Sequence, residues 1–161
     1  MAATTKTTDY TGRKVDILAL DGAFNDGVFP LTQSIYSPSS KVCAGIQKLA
    51  QRWLIEFLTP LGSIPYLADR GTDFIYNVRS GRIRTELDAR LAFSFAKEKV
   101  ALNLRREDVA GSFPDDEKYK EAVLLGIQVL MGSSLRLSVR IDSIAEEGRV
   151  FVIPLNVVPA R

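Results

Sequence analysis

Leu135-Arg136-Leu137-Ser138-Val139-Arg140-Ile141 alternates apolar and polar side chains without a break. A strand sends successive side chains to opposite faces, so this stretch reads as a half-buried strand with Leu135, Leu137, Val139 and Ile141 turned to a core. Upstream, residues 121–131 alternate Val123, Leu125, Ile127 and Val129 with Leu124, Gly126 and Gln128; downstream, residues 150–157 place Phe151, Ile153 and Leu155 on one side. Gly132-Ser133-Ser134 and Glu146-Glu147-Gly148 supply hairpin connections. Together these segments predict a three-stranded antiparallel meander with one apolar face. Pro154 has no N–H to give to a ladder, which assigns the last strand to an edge or a bulge. Such an edge can accept another chain.

Working back from the meander, the pattern changes to a helical period. Val42, Ile46, Leu49, Trp53 and Phe57 recur at three- and four-residue spacing, with Gln47, Lys48, Gln51 and Arg52 opposite, which predicts a helix over residues 41–58 capped by Ser39 or Ser40 and stopped before Pro60. Ile55 falls in the polar arc and Leu58 at its edge, which reads as a single exposed apolar residue, with a contact on the outer side of the helix as the sharper alternative. Thr59-Pro60-Leu61-Gly62 reads as a turn, residues 64–67 as a short extended piece, and Ala68-Asp69-Arg70-Gly71-Thr72-Asp73-Phe74 as a loop. Ser80 is read as the cap of a second helix from about Arg82, with Ile83, Leu87, Leu91 and Phe95 as its buried stripe. Ser94 and Glu98 interrupt that stripe, while Phe93, Val100 and Leu104 lie on another side, so this helix has two buried faces or ends in the high nineties. Residues 108–120 read as a connector. Two main helices followed by a meander make an α+β domain.

The chain has 161 residues with 46% hydrophobic side chains, enough for one domain to bury its own core. Residues 1–12, small and polar, read as a flexible N-terminal arm ahead of a single domain over 13–161. Residues 15–20 suggest a short strand ending at Asp21-Gly22, and the stretch from there to Ser40 is a long loop of the kind that binds something. A balance of 21 Lys and Arg against 19 Asp and Glu is too even to make nucleic acid the expected partner. Apolar runs such as residues 122–125 fall far short of the roughly 20 residues a membrane span needs, and residues 1–9 lack a signal-peptide core, so the expected setting is a cytoplasm.

The chain contains no His and a single Cys, Cys43. That removes a disulfide framework, the usual Cys/His zinc sites and every His-based acid/base mechanism, and no cofactor is implied. Cys43 sits near a helix start, where a dipole can lower a thiol pKa, but with no His to pair it reads as a packed thiol. There is no Gly-rich phosphate loop. A glycosidase pair drawn from Glu56, Asp69, Asp73, Glu86 and Asp88 is the hydrolytic mechanism left open, against caps and surface ion pairs as the structural reading of the same acids. Arg79, Arg82, Arg84 and Arg90 gather near the second helix as a solvated face, with a docking surface as the sharper alternative.

From Gln47 the sequence QKLAQRWLIEFLTPLGSIPYLADRGTDF, followed by a helix and a terminal meander, resembles the baseplate wedge family of contractile tails, found in myophages and type VI secretion baseplates and historically labelled as tail lysozymes. Leu58, Thr59, Gly62, Pro65, Asp69, Gly71 and Phe74 carry the likeness, which extends over residues 41–157. Where that family often has Glu-Pro-Arg before the meander, this chain has Glu121-Ala122-Val123, and the segments before Lys41 and over residues 109–120 are longer than in a minimal member. The resemblance implies a fold like the inner domain of the sheath subunit, no enzymatic activity, and a place in the virion tail baseplate after assembly in the host cytoplasm. It implies initiation of sheath growth by β-strand exchange, with the tail sheath protein, other wedge proteins and tube or hub proteins as partners. The expected contact residues are Pro65, Asp69, Arg70 and Asp73 in the loop, Arg79 and Arg82 beside it, and Glu121, Val150 and Val152 on the strands. A peptidoglycan-degrading tail lysozyme and another small tail-completion or connector protein are the competing expectations.

Overall fold

The computed structural model describes residues 13–17, 42–130 and 134–156. In chain order they form β1 (Asp16–Ile17), β2 (Val42–Cys43), α1 (Ile46–Leu58), α2 (Phe74–Arg79), α3 (Glu86–Ala110), β3 (Tyr119–Leu130), β4 (Ser134–Ser143) and β5 (Gly148–Asn156). The architecture is α+β, with helices first and then an antiparallel sheet in the order β3-β4-β5. The arm 1–12, the Ser39 or Ser40 cap, the loop leading to it and Gly132-Ser133 lie outside the described residues.

β4 is the centre of the sheet, and its Leu135, Leu137, Val139 and Ile141 are fully buried, as the alternation predicts. Ser143 gives its N–H to the Glu147 carbonyl at 2.9 Å, on the β5 side. N–H direction repeats every two residues in a strand, so Ile141, Val139 and Leu137 exchange bonds with Arg149, Phe151 and Ile153, their partners in register. The N–H groups of Val150 and Val152 and the ring nitrogen of Pro154 therefore face away from β4. Among the described residues β5 is an edge, and Pro154 occupies a position where no bond to β4 is lost. On β3 the pairing skips Lys120 and Leu125. The second bulge breaks the uninterrupted alternation expected over residues 123–129: Leu124 and Ile127 pack on the core, whereas Leu125 is exposed.

The helices depart further from the sequence reading. The first begins at Ile46 rather than Lys41, because Val42 and Cys43 pair with Ile17 and Asp16 in a two-stranded ribbon. Gly45, at φ 63°, turns the chain from that ribbon into α1. Residues 64–67 are not extended but turned, with Leu67 N–H bonded to the Ile64 carbonyl at 3.1 Å and Tyr66 at φ 70°. The expected loop ends in a short helix, α2, so Ser80 closes a helix instead of opening one. Gly81, at φ 67°, reverses the chain, Arg82 lies outside any helix, and α3 starts at Glu86 under a reciprocal cap between Thr85 and Asp88.

α3 runs unbroken to Ala110, so the expected connector shrinks to the residues before Tyr119. Its buried face carries Ala89, Phe93, Ala96, Val100 and Leu104. The stripe expected to be core is the other one, and it faces solvent: Leu91 is 52% and Phe95 77% exposed, and only Ile83, ahead of the helix, is buried. Ala89 and Ala96 are small enough to be buried in the core beside Phe93 and Val100, where the larger Leu91 and Phe95 would need more room.

The core lies between the sheet and the pair α1 and α3. Trp53 stacks on Phe57 with ring centroids 4.7 Å apart and meets Phe93 at 6.2 Å and Phe151 at 5.9 Å, while Phe57 meets Phe74 at 4.6 Å. One aromatic cluster thus joins α1, α2 and α3 to β5. Among the described residues no helix is long and apolar enough to cross a membrane.

Candidate functional site

α1 carries two stripes. Leu49, Trp53 and Phe57 enter the core, and Lys48, Arg52 and Glu56, one turn apart, line a second face covered by α3 and the segment before β3. Sequence reasoning assigned Lys48 and Arg52 to solvent. Instead Lys48 is buried, with its Nζ 2.8 Å from Glu117 and 2.7 Å from the Lys14 carbonyl. Glu117 also accepts the Gly45 N–H at 3.1 Å, at the start of α1, where a carboxylate is favoured by the unpaired N–H groups and the helix dipole. Arg52 reaches Glu107 at 2.8 Å and Asp108 at 3.1 Å, and its guanidinium lies 4.2 Å from the Phe113 ring centroid.

Glu56 is the pivot. The structural reading of this acid as a surface ion pair is corrected, since it is 3% exposed. Its Oε1 accepts the Gly71 N–H at 2.8 Å and Asn103 Nδ2 at 2.6 Å, and its Oε2 accepts Arg70 Nε at 2.8 Å. Arg70 also pairs with Glu107. Burial opposes the charge on both Arg70 and Glu107. Their mutual hydrogen bond and attraction prevail: Arg70 is held above its ordinary value, and Glu107, which Arg52 supports too, below the usual carboxylate range.

This network fastens the base of the loop between α1 and α2. Thr59 and Thr72 close the loop by backbone bonds, Thr72 N–H to Thr59 O at 2.8 Å and Leu61 N–H to Thr72 O at 3.0 Å. Gly71, at φ 88°, sits so tightly that a Cβ would overlap the Thr59 carbonyl oxygen. Above this fixed base Ile64, Pro65, Tyr66 and Leu67 are exposed, Tyr66 completely. Contact surfaces are commonly built on loops whose ends are closed in this way. Beside it a groove of about 380 Å³ is lined by Leu61, Asp73 and Phe74 and by Phe95 and Lys99 of α3.

The residues expected to make contacts fall into three places. Pro65 is at the loop tip. Asp69 is exposed, its carboxylate 3.3 Å from Arg106 and its carbonyl 3.3 Å from Asn103, while Arg70 faces inward to the network. Asp73 precedes α2 and lines the groove. Arg79 and Arg82 are exposed at the far end of α2, with Arg82 5.2 Å from the Tyr76 ring centroid. Glu121 and Val150 are exposed on opposite edge strands, and Val152 is half-buried. The gathering of Arg84 and Arg90 resolves locally: Arg90 pairs with Glu86 at 2.6 Å, and the Arg84 N–H serves Asp88. Glu107, Asn103 and Glu117 were missed. The only trace of them in the sequence is the turn-by-turn spacing of charge at 48, 52 and 56.

Both Glu56 oxygens are occupied by donors from the protein, which leaves neither to face a sugar. Cys43 lies on β2, not in a helix, and burial, with Asp16 adding to it, pushes its thiol up to about 11. It packs as a neutral group. Among the described residues no three His, Cys, Asp or Glu side chains are placed to hold a metal ion. No protein-family model, curated protein or solved structure matches the chain.

Proposed function

We propose that this chain is a structural subunit of the baseplate wedge of a contractile tail, sited near the tube, and that it starts sheath assembly by exchanging a β-strand with the sheath protein. The observation that carries this reading is the edge of the meander: among the described residues β5 has a strand on one side only, and the N–H groups of Val150 and Val152 point to the other. An incoming strand would find a row of backbone donors and acceptors, with Pro154 ending the donor row. The fastened loop 59–73 supports the second half of the reading, contact with neighbouring wedge, tube or hub proteins, because it offers Ile64, Pro65, Tyr66 and Leu67 on a base that the Glu56 network holds still. The internal commitment of Glu56 favours a structural role over sugar hydrolysis.

The test is capture at physiological salt of the sheath and baseplate proteins encoded beside this chain, with peptidoglycan hydrolysis assayed on the same preparation. Capture without hydrolysis is expected. Hydrolysis without capture would overturn the reading and turn attention to Glu56 and Asp69. A closed ring formed by the chain alone would favour a connector protein.

A further inference from the structure

The two apolar stripes of α3 lie on opposite sides of the helix. At 100° per residue, Phe93, Ala96 and Val100 point to the core, and Leu91, Phe95, Leu102 and Val109 point directly away from it, all exposed. These outer residues fall on a seven-residue repeat: 88, 95, 102 and 109 form one row and 91, 98 and 105 the other, the two rows of a helix–helix seam. In the first row Asp88 stands where the others are apolar; in the second Leu91 is followed by the charged Glu98 and Arg105.

The order of these residues is self-complementary when the helix is turned end for end. Leu91 and Leu102 lie equally far on either side of the point between Ala96 and Lys97, and so do Asp88 and Arg105. Two copies of α3 laid antiparallel about that point bring Leu91 level with Leu102 of the other copy and Asp88 level with its Arg105, each twice. The two Phe95 side chains stand either side of that point, roughly 4–5 Å apart along the helices at 1.5 Å per residue, within reach of an aromatic contact. Glu98, the acid nearest the middle of the seam, falls level with Phe95 of the other copy, its stem against the ring and its carboxylate at the rim. A parallel arrangement would instead set Asp88 against Asp88 and Arg105 against Arg105. The hydrogen bonds from Thr85 and Arg84 keep the Asp88 carboxyl below its ordinary range, so it carries charge in the seam. Arg105 is positioned over the Tyr119 ring, 5.7 Å from its centroid.

We propose that the outer face of α3 is the seam of a symmetric antiparallel dimer, and that a second copy of this chain is its occupant. This inference does not depend on the assembly role above, since it concerns the isolated chain.

Sedimentation equilibrium of the full chain should give a dimer at about 100 μM that dissociates on dilution. Phe95→Glu should be monomeric with an unchanged circular dichroism spectrum, and Arg105→Glu should weaken the dimer by about tenfold or more by setting two acids level. Orientation is read by cross-linking. A mixture of Leu91→Cys and Leu102→Cys chains should form a mixed disulfide, whereas Leu91→Cys alone should not, because its two thiols would lie roughly 16 Å apart along the seam. A wild-type chain that is monomeric at that concentration would overturn the proposal, as would cross-linking of Leu91→Cys to itself. A large fall in the melting temperature of a monomeric Phe95→Glu chain would also overturn it, by assigning the stripe to another segment of the same chain.

Discussion

Arg70 and Asp69 are neighbours with opposite energetic weight. Arg70 bridges Glu56 and Glu107, and its removal leaves a buried carboxylate served only by Gly71 and Asn103. Breaking a pair at a buried acid is costly, so Arg70→Ala should lower unfolding stability by about 2–3 kcal/mol, discounted for the part of the guanidinium that meets solvent. Asp69 meets Arg106 in the open, and Asp69→Ala should change stability by no more than about 0.5 kcal/mol. Urea denaturation of the two variants decides between this network and a diffuse surface pairing, for which the two losses would be equal. Gly71 follows the same logic: its left-handed φ and the nearby Thr59 carbonyl should make Gly71→Ala cost about 2 kcal/mol or more. Neither dependence was legible in the sequence. Arg70 and Gly71 stood in a recognisable motif, but Glu107 and Asn103 lie on another helix, and only the fold brings them to Glu56.

At the scale of elements, legibility followed the number of competing solutions. A strand has two faces, so the strict alternation from Leu135 to Ile141 fixed which residues are buried, and Pro154 marked the edge by removing a donor. α3 offered two apolar stripes, and the larger one drew the assignment. The buried stripe mixes Ala89 and Ala96 with Phe93, Val100 and Leu104, and the room left by the partner elements, which the sequence of α3 does not contain, decides that smaller side chains are buried there. Its start was missed because Asp88, rather than the commoner Glu or Gln, completes the cap with Thr85. That cap should be worth about 1 kcal/mol, lost in Thr85→Ala and readable as a shift in the urea midpoint. The β5 edge carries the functional counterpart. Val152→Pro removes an outward N–H without breaking a bond to β4, so the domain should keep its circular dichroism spectrum while sheath growth stops. Sheath assembly undiminished in that variant would sink the assignment of β5 as the pairing edge.

For the whole molecule, the absence of His shapes the response to pH. No side chain has an ordinary pKa between the carboxylates and the thiol, so stability should be flat from about pH 6 to 8.5. On the acid side Glu107 is depressed in the fold. Its contribution is complete above its ordinary value of 4.5 and is lost as the pH falls through the lower native value, when the native state must take up a proton against Arg52 and Arg70. On the alkaline side two buried groups among the described residues are raised, Cys43 to about 11 and Tyr119 to about 12, each chiefly by burial. Such a group is neutral in the native state while the unfolded chain has already released its proton. Its stabilisation is therefore complete below the ordinary value, 9.0 for the thiol and 10.0 for the phenol, and declines as the pH rises from there to the native value. Each shift corresponds to about 2–3 kcal/mol, lost in sequence, the thiol first. Urea midpoints between pH 8 and 11 should therefore begin to fall near pH 9 in the natural chain. In Cys43→Ser, which removes the earlier titration, the decline should begin near pH 10. An unchanged onset in that variant would mean that the thiol is hydrated, and that the ribbon of β1 and β2 does not seal the start of α1.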